Sequence, residues 1–283
     1  MAHLFFSIVV VSLNPGEKLV PTLKSVLDQD YGNFEIIIKD GGSSDGSLEK
    51  LMGKNGSDRE LPADSRIRFF QEPDKGIYDG MNQALRYVQG RYLLFLNCGD
   101  RLYGRSVLSE TAAFIEKTEK ESLCRSRQYI FYGDQYNERQ DCPVRSAPRM
   151  NDFACYRNVP CHQVCFYDAG LFADRGYDTD YRVRADYEHF LYCIYDRKAE
   201  AVYMPVTVAF YEGGGFSEIR ENRKRSALEH KVITRYYQGF WKKSVYSFLM
   251  LASLAPLRTK IAESPSLSKG YNAVKSAIYR RKK

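Results

Sequence analysis

The run Leu4-Phe5-Phe6-Ser7-Ile8-Val9-Val10-Val11-Ser12-Leu13-Asn14-Pro15-Gly16 decides the fold: an apolar, β-branched stretch stops abruptly at polar and turn-forming residues. Leu19, Leu23, Val26 and Leu27 follow at helical spacing, so strand, turn and helix come in order. The order then repeats. Phe34 to Ile38 is rich in β-formers, Asp40-Gly41-Gly42-Ser43-Ser44-Asp45-Gly46 is a tight polar turn, and Ser47 to Met52 restarts a helix. After a polar stretch over 53–65, the pattern predicts a strand at Ile67 to Phe70, a helix over about Tyr78 to Val88 and a buried strand at Tyr92-Leu93-Leu94-Phe95-Leu96. Strands alternating with helices predict an α/β fold, a twisted parallel sheet covered on both faces. Beyond Asp100 we expect helices near Ser106 to Lys117 and Ala185 to Tyr195, and strands near Tyr129 to Tyr132, Val164 to Tyr167 and Ala201 to Phe210. Arg139 to Pro148 reads as a loop, and the remainder as mostly helical.

With 283 residues, of which 44% are hydrophobic, the chain buries a full core, which excludes wholesale disorder. Its net charge of +7 is uneven: residues 241–283 hold ten Lys or Arg against one acid, Glu263, leaving 32 bases and 34 acids in 1–240. A basic tail on a near-neutral body points to an anionic surface as partner. The seven cysteines lack paired CxxC spacing, so we expect reduced thiols in a cytoplasmic protein rather than a zinc or disulfide framework. The apolar N-terminal run lacks the basic start of a signal peptide and is too short to span a bilayer.

In an open parallel sheet, ligands bind beyond the carboxyl ends of the strands. Ser12-Leu13-Asn14, Asp40 and Asn97-Cys98-Gly99-Asp100 end the first, second and fourth strands, so the fold gathers them on one edge. Asp40 is placed either to accept hydrogen bonds from a nucleotide base or to stabilise its own Gly-Gly turn. A dinucleotide fingerprint is excluded, because the G-x-G-x-x-G register fails at Ser43. A P-loop is excluded because Asn55 follows Gly53-Lys54 where Ser or Thr must bind magnesium. A bound diphosphate is then most simply neutralised by a hard divalent cation, and Asp100 after a buried strand is the candidate ligand. Cys98 is a soft ligand and receives no metal role.

The segments SIVVVSLN (7–14), IIIKDGGSSDGS (36–47), EPDKGIYDGMNQAL (72–85), GRYLLFLNCGD (90–100), PCHQ (160–163), RADYEHFL (184–191) and GGGFS (213–217) occur in order. Together they make the chain resemble the inverting family-2 glycosyltransferases of the GT-A fold over roughly residues 5–216. It is most similar to bacterial enzymes of colanic-acid, capsule and O-antigen synthesis. The resemblance implies a Rossmann-like, mostly parallel central sheet with helices on both faces plus a helical C-terminal extension. It implies a nucleotide-sugar donor carrying UDP or GDP, Mn2+ or Mg2+ as cofactor, and a saccharide or polyprenyl-linked saccharide as acceptor. By position it assigns Ser12, Asn14, Asp40, Lys75, Gly76, Asp79 and Asn97 to the nucleotide. It assigns Asp100 to the metal, Asp186 to the base that deprotonates the acceptor, and His162 and Gln163 to the acceptor pocket. Tyr78, Asp79 and Asn82 also read as helix-start residues, and Glu188 is the nearest rival to Asp186. The family usually carries acids where Asn97 and Gly99 stand, so weaker metal affinity is one expected consequence.

The resemblance divides the chain into a glycosyltransferase domain over 1–218, with a nucleotide-binding half (1–100) and an acceptor half (101–218), and a basic helical extension over 219–283. From Ser244 to Leu257 an apolar face carrying Val245, Tyr246, Phe248, Leu249, Met250, Leu251, Leu254 and Leu257 is flanked by Lys242, Lys243, Arg258 and Lys260. It is too short to span a membrane. A helix lying on the inner face of the membrane and a core or homodimer helix are both open readings. Arg280-Arg281-Lys282-Lys283 adds attraction to anionic lipid. The Gly213 to Ser217 turn reads either as a loop closing over the donor or as an ordinary turn. Two alternatives to glycosyl transfer are a sugar-phosphate nucleotidyltransferase and a nucleic-acid-binding protein. The first needs a glycine-rich basic signature that Ser12-Leu13-Asn14-Pro15 does not supply; the second is disfavoured by a neutral body and an apolar tail. The chain has no QxxRW motif, which argues for adding one sugar rather than polymerising.

Overall fold

The computed structural model describes residues 4–53, 61, 63–124, 126–213, 219–254, 261, 264 and 267–280. Among them, nine strands form one sheet. The first half is β1 (Phe6–Ser12), β2 (Phe34–Asp40), β3 (Ile67–Gln71) and β4 (Tyr92–Phe95) in the order β3-β2-β1-β4, every pairing parallel. The order reverses beside β1, which opens a crevice at the strand ends. Apolar side chains on both faces of β1 and β4 are buried, as expected for a parallel sheet covered on both sides.

Helices α1 (Leu19–Leu27), α2 (Ser47–Met52) and α3 (Ile77–Leu85) follow the first three strands. Pro21 lies in the first turn of α1, where a missing N–H costs nothing. The end of β2 is fixed by a fully buried lysine: Lys39 Nζ donates to Asp74 Oδ2 at 3.0 Å, to the Glu72 carbonyl at 2.7 Å and to the Asp40 carbonyl at 3.2 Å. This ties the segment before α3 to the sheet.

Past β4 the pairing becomes mixed. The elements are β5 (Arg101–Leu102), α4 (Val107–Glu121), β6 (Tyr129–Asn137), β7 (Cys142–Val144), α5 (Asp152–Arg157), β8 (Cys165–Asp168), α6 (Ala185–Tyr195) and β9 (Glu200–Tyr211). The order continues β4-β8-β6-β9-β5, with β8 antiparallel to β4 and β6, and β9 parallel to β6. The stretch 139–148, expected as a loop, contains β7, an edge strand that pairs with β6 and tolerates Pro143 because it lies at the edge. Strand β6 runs on to Asn137, and α3 stops before the expected Val88.

The C-terminal extension is docked, not free. Helix α7 (Arg220–Ala252) buries Ile233, Thr234 and Gln238, and the Gln238 amide donates to the Asp152 carbonyl at 2.7 Å. Gly239 breaks it at φ 73°, a left-handed conformation that a glycine adopts without strain. Helix α8 (Ser268–Arg280) lies on β7, with Asn272 buried against Cys142. No helix of the described residues is long and apolar enough to cross a membrane. Of the tail positions singled out above, Leu257, Arg258, Lys260, Arg281, Lys282 and Lys283 lie outside the described residues, as do Gly214 to Ser217.

Candidate active site

The polar ends of β1, β2 and β4 converge as the strand order requires. Ser12 and Asp40 are register partners, and the Ser12 hydroxyl donates to Asp40 Oδ2 at 2.9 Å. Asp40 is wholly buried and also accepts from the Gly42 and Ser43 N–H groups at 2.9 and 2.7 Å and from the Ser43 hydroxyl at 2.5 Å. Burial works against its ionisation, but these hydrogen bonds win and hold it below the usual carboxylate range. In this structure Asp40 is therefore turned inward, shaping its glycine turn and leaving the loop to face the crevice. Asn14, at φ 48°, joins the first two loops: its N–H donates to Ser43 Oγ at 2.7 Å and its Oδ1 accepts from the Ser44 N–H at 2.9 Å.

The segment before α3 presents Lys75 with an exposed side chain that has no ion-pair partner among the described residues. Asp79 Oδ2 accepts from the Lys75 N–H at 2.8 Å and the Gln83 amide at 3.1 Å, so Asp79 caps the helix, which Gly76 enters at φ 130°. Asn82 makes reciprocal bonds with the backbone of Tyr177, at 2.8 and 2.7 Å, and ties α3 to the acceptor half.

At the end of β4, Asp100 is 4% exposed, and burial raises its carboxyl above the ordinary value despite hydrogen bonds that oppose the shift. Its Oδ2 accepts from Gln163 Nε2 at 2.9 Å and its Oδ1 from the Glu212 N–H at 3.1 Å. Asp186 opens α6. Its Oδ2 accepts from His162 Nδ1 at 2.9 Å; its Oδ1 lies 3.0 Å from the Tyr78 hydroxyl and accepts from the Tyr187 N–H at 2.8 Å. Burial pushes this carboxyl up, but the bond and charge of His162, the Tyr187 N–H and the Tyr78 hydroxyl outweigh it and hold it below the ordinary range. Its side chain is 24% accessible, so a hydroxyl can reach it. Consecutive residues of one turn, His162 and Gln163, thus join the two acids assigned by position, Asp186 and Asp100. His162 Nε2, Gln163 Oε1 and Asn97 Oδ1 are buried with no partner among the described residues. Buried polar atoms are normally satisfied, and these three lack a partner, as do six other buried atoms elsewhere among the described residues. Glu188, the rival by sequence, is clamped by Arg175 at 3.0 and 2.7 Å and bonded by the Tyr237 hydroxyl.

Residues 7–179 match the family described as Glycosyl transferase family 2. The chain is 34% identical over 221 residues to a "PGL/p-HBAD biosynthesis glycosyltransferase" of Mycobacterium tuberculosis, covering 77% of this chain and 80% of that one. This chain belongs to glycosyl transferase family 2. Among solved structures, the glycosyltransferase shares its fold with S. aureus TarS 1–349 in complex with UDP-GlcNAc, at a TM-score of 0.58 and 17% identity over 81% of this chain and 66% of that one. It shares it also with the mannosyltransferase PcManGT from Pyrobaculum calidifontis in complex with GDP-Man and Mn2+, at 0.57 and 14% over 98% of this chain and 87% of that one. The GT-A fold is thereby shown.

Two residues of this glycosyltransferase's site escape a reading by sequence. Gly99 takes φ 104°, and a Cβ there would lie 2.6 Å from Glu212 Oε2. A carboxylate from the end of β9 therefore stands over the position where the family often has an acid. Lys18 Nζ donates to that same oxygen at 2.8 Å. The only signal in the sequence was the place of Glu212 just before the glycine turn. GT-A glycosyltransferases generally use a divalent metal. Asp100, Glu212 and the orphaned Asn97 oxygen are hard donors that fit Mn2+ or Mg2+. Among the described residues no three His, Cys, Asp or Glu side chains gather for a metal. Burial pushes the Cys98 thiol up to about 12, which keeps it protonated and out of such a set.

His162→Ala removes the leading hydrogen bond that favours the ionised form of Asp186, so the acid limb of kcat/KM is expected to move to higher pH. A pH–rate profile checks this. An unmoved limb would mean that His162 does not tune Asp186.

Proposed function

We propose that this glycosyltransferase transfers one sugar, with inversion, from a UDP- or GDP-sugar to a saccharide or polyprenyl-linked saccharide acceptor in bacterial surface glycan synthesis. The observation that carries the reading is the pairing of Asp186 with His162 and of Asp100 with Gln163, which aligns a base and a metal-side acid along one turn. Asp186 takes the proton of the acceptor hydroxyl as that oxygen attacks the anomeric carbon, and the bond to the nucleoside diphosphate breaks on the opposite face. Asp100, with Glu212 and Asn97 nearby in the chain's fold, would hold Mn2+ or Mg2+, which would supply positive charge to the departing diphosphate. The loops pinned by Asp40 and Asn14 receive the nucleoside, and Lys75 provides an exposed cation for its phosphates. The named donors of the structural neighbours, UDP-GlcNAc and GDP-Man, support a nucleotide-sugar. The chain acts in the cytoplasm, at the inner face of the membrane, held there by its basic and apolar extension.

Thermal unfolding with UDP, GDP, CDP and TDP, each with and without Mn2+, tests the site, because a ligand of the native state raises its apparent stability. One nucleotide is expected to stabilise in a Mn2+-dependent way, and Asp100→Ala to abolish that dependence. Equal behaviour of wild type and Asp100→Ala would refute the metal assignment.

A further inference from the structure

A second cavity, of about 600 Å³, lies between α5, the start of α6 and α7, apart from the polar strand ends. Its lining includes Arg157, Arg184, Lys231 and Lys243 and, among the described residues, no acid. Cations nearby are paired: Lys242 with Asp152 at 2.6 Å and Arg225 with Glu229 at 2.8 Å. The cavity's four are not. None of them has a carboxylate partner among the described residues; Lys231 and Lys243 have no side-chain partner at all there, Arg157 bonds only Tyr279, and Arg184 uses its Nε on Ser226. Glu229, the nearest acid on α7, is spent on the backbone N–H groups of Arg182, Val183 and Arg184 at 3.0, 3.0 and 2.9 Å. His230 also lines the cavity, its Nε2 bonded to the Tyr156 carbonyl at 2.7 Å; burial, Arg184 and Lys243 all lower its pKa, so it adds no fifth charge that would repel the others. Like charges held together without counter-ions repel one another, and a multiply charged anion bound among them relieves that repulsion.

The walls say what carries the anion. Both arms of α7, before and after the Gly239 kink, line the cavity, through Lys231 on one side and Lys243 and Ser247 on the other. One residue further along, and so about 100° around the helix, runs an apolar row: Leu228 and Val232 beside Ala227 and Lys231, and Phe248 beside Ser247. Leu228, Val232, Trp241, Val245 and Phe248 are all more than half exposed, at 63, 57, 81, 54 and 69%. An exposed apolar band of this kind marks an interaction surface. It borders a basic cavity, and Arg184 of that cavity immediately precedes the helix that carries Asp186.

We infer that this cavity binds the diphosphate group of an amphiphile whose hydrocarbon chain lies along the exposed face of α7. The inference rests on the acceptor reading above and deepens it: a lipid diphosphate seated here delivers the sugar at its head towards Asp186. Both terminal guanidinium groups grip phosphate oxygens by paired N–H donors, and the two lysines neutralise the remaining charge.

The test is direct binding by the full chain of farnesyl diphosphate, inorganic diphosphate, farnesol, an oligonucleotide and vesicles of neutral or anionic phospholipid. It compares wild type with the double variant Lys231→Glu/Lys243→Glu. Neither side chain has a partner among the described residues, and an unchanged melting temperature confirms folding. Farnesyl diphosphate is expected to bind wild type more tightly than inorganic diphosphate or farnesol, and the double variant roughly tenfold or more weakly. UDP and GDP binding is measured alongside and is expected to be equal in both proteins. Unchanged farnesyl diphosphate affinity in the variant overturns the site while the nucleotide result stands. Equal affinity for inorganic and farnesyl diphosphate overturns the lipid part. Binding to anionic vesicles alone, or to an oligonucleotide in preference to farnesyl diphosphate, replaces the cavity by a general anionic surface and also overturns it. Loss of nucleotide binding in wild type instead strikes the glycosyl-transfer reading.

Discussion

Asp186→Asn is expected to lower kcat by about 10²- to 10⁴-fold, the range that a positioned general base contributes. The substitution keeps size and shape but removes the ability to take a proton. It leaves Asp100, Gln163 and the loops of β1 and β2 untouched, so nucleotide-dependent stabilisation is expected to match wild type. Steady-state kinetics and thermal shifts on the same preparation separate the effects. Glu188→Gln supplies the control. Its carboxylate is held by Arg175 and Tyr237, so the change is expected to lower stability with little effect on the chemical step. Wild-type turnover in Asp186→Asn would remove Asp186 from the base role.

Asp74→Ala is expected to destabilise the fold by about 3–5 kcal/mol, the usual result of stripping a buried ion of its partner. Lys39 is wholly buried, and Asp74 is the one carboxylate it contacts among the described residues. Two backbone carbonyls would remain as partners of the ammonium. Replacing both partners, as in Lys39→Met with Asp74→Leu, is expected to recover much of the loss, because no charge is then left buried. Equilibrium unfolding in urea reads both. A single variant within about 1 kcal/mol of wild type would mean that the pair behaves as a surface ion pair.

The sequence disclosed most of what depends on neighbours along the chain. The hydrophobic pattern placed α2 and α6 with their observed ends and put Ser12, Asp40 and Asn97 on one edge, because burial on both faces and 3.6-residue spacing leave a direct mark. What it hid depends on distant contacts. Nothing near Lys39 announces Asp74, and nothing near Gly99 announces Glu212. His162 looks like a lone histidine until the turn before β8 brings it against Asp186. Strand β7 was hidden for a different reason: Pro143 argues against a strand unless the strand is known to lie at an edge. The apolar, basic character of the tail was legible. Its kink at Gly239 and the cavity between its arms were set by packing on α5 and α6.

The central claim is tested most directly by following release of nucleoside diphosphate from a panel of UDP- and GDP-sugars, with Mn2+ present or chelated, in wild type, Asp100→Ala and Asp186→Asn. Wild type is expected to release nucleotide from at least one donor only when Mn2+ is present, and both variants to lose the release while Asp186→Asn still binds the nucleotide. Release that persists unchanged in Asp186→Asn, or that ignores both Mn2+ and Asp100, would contradict it.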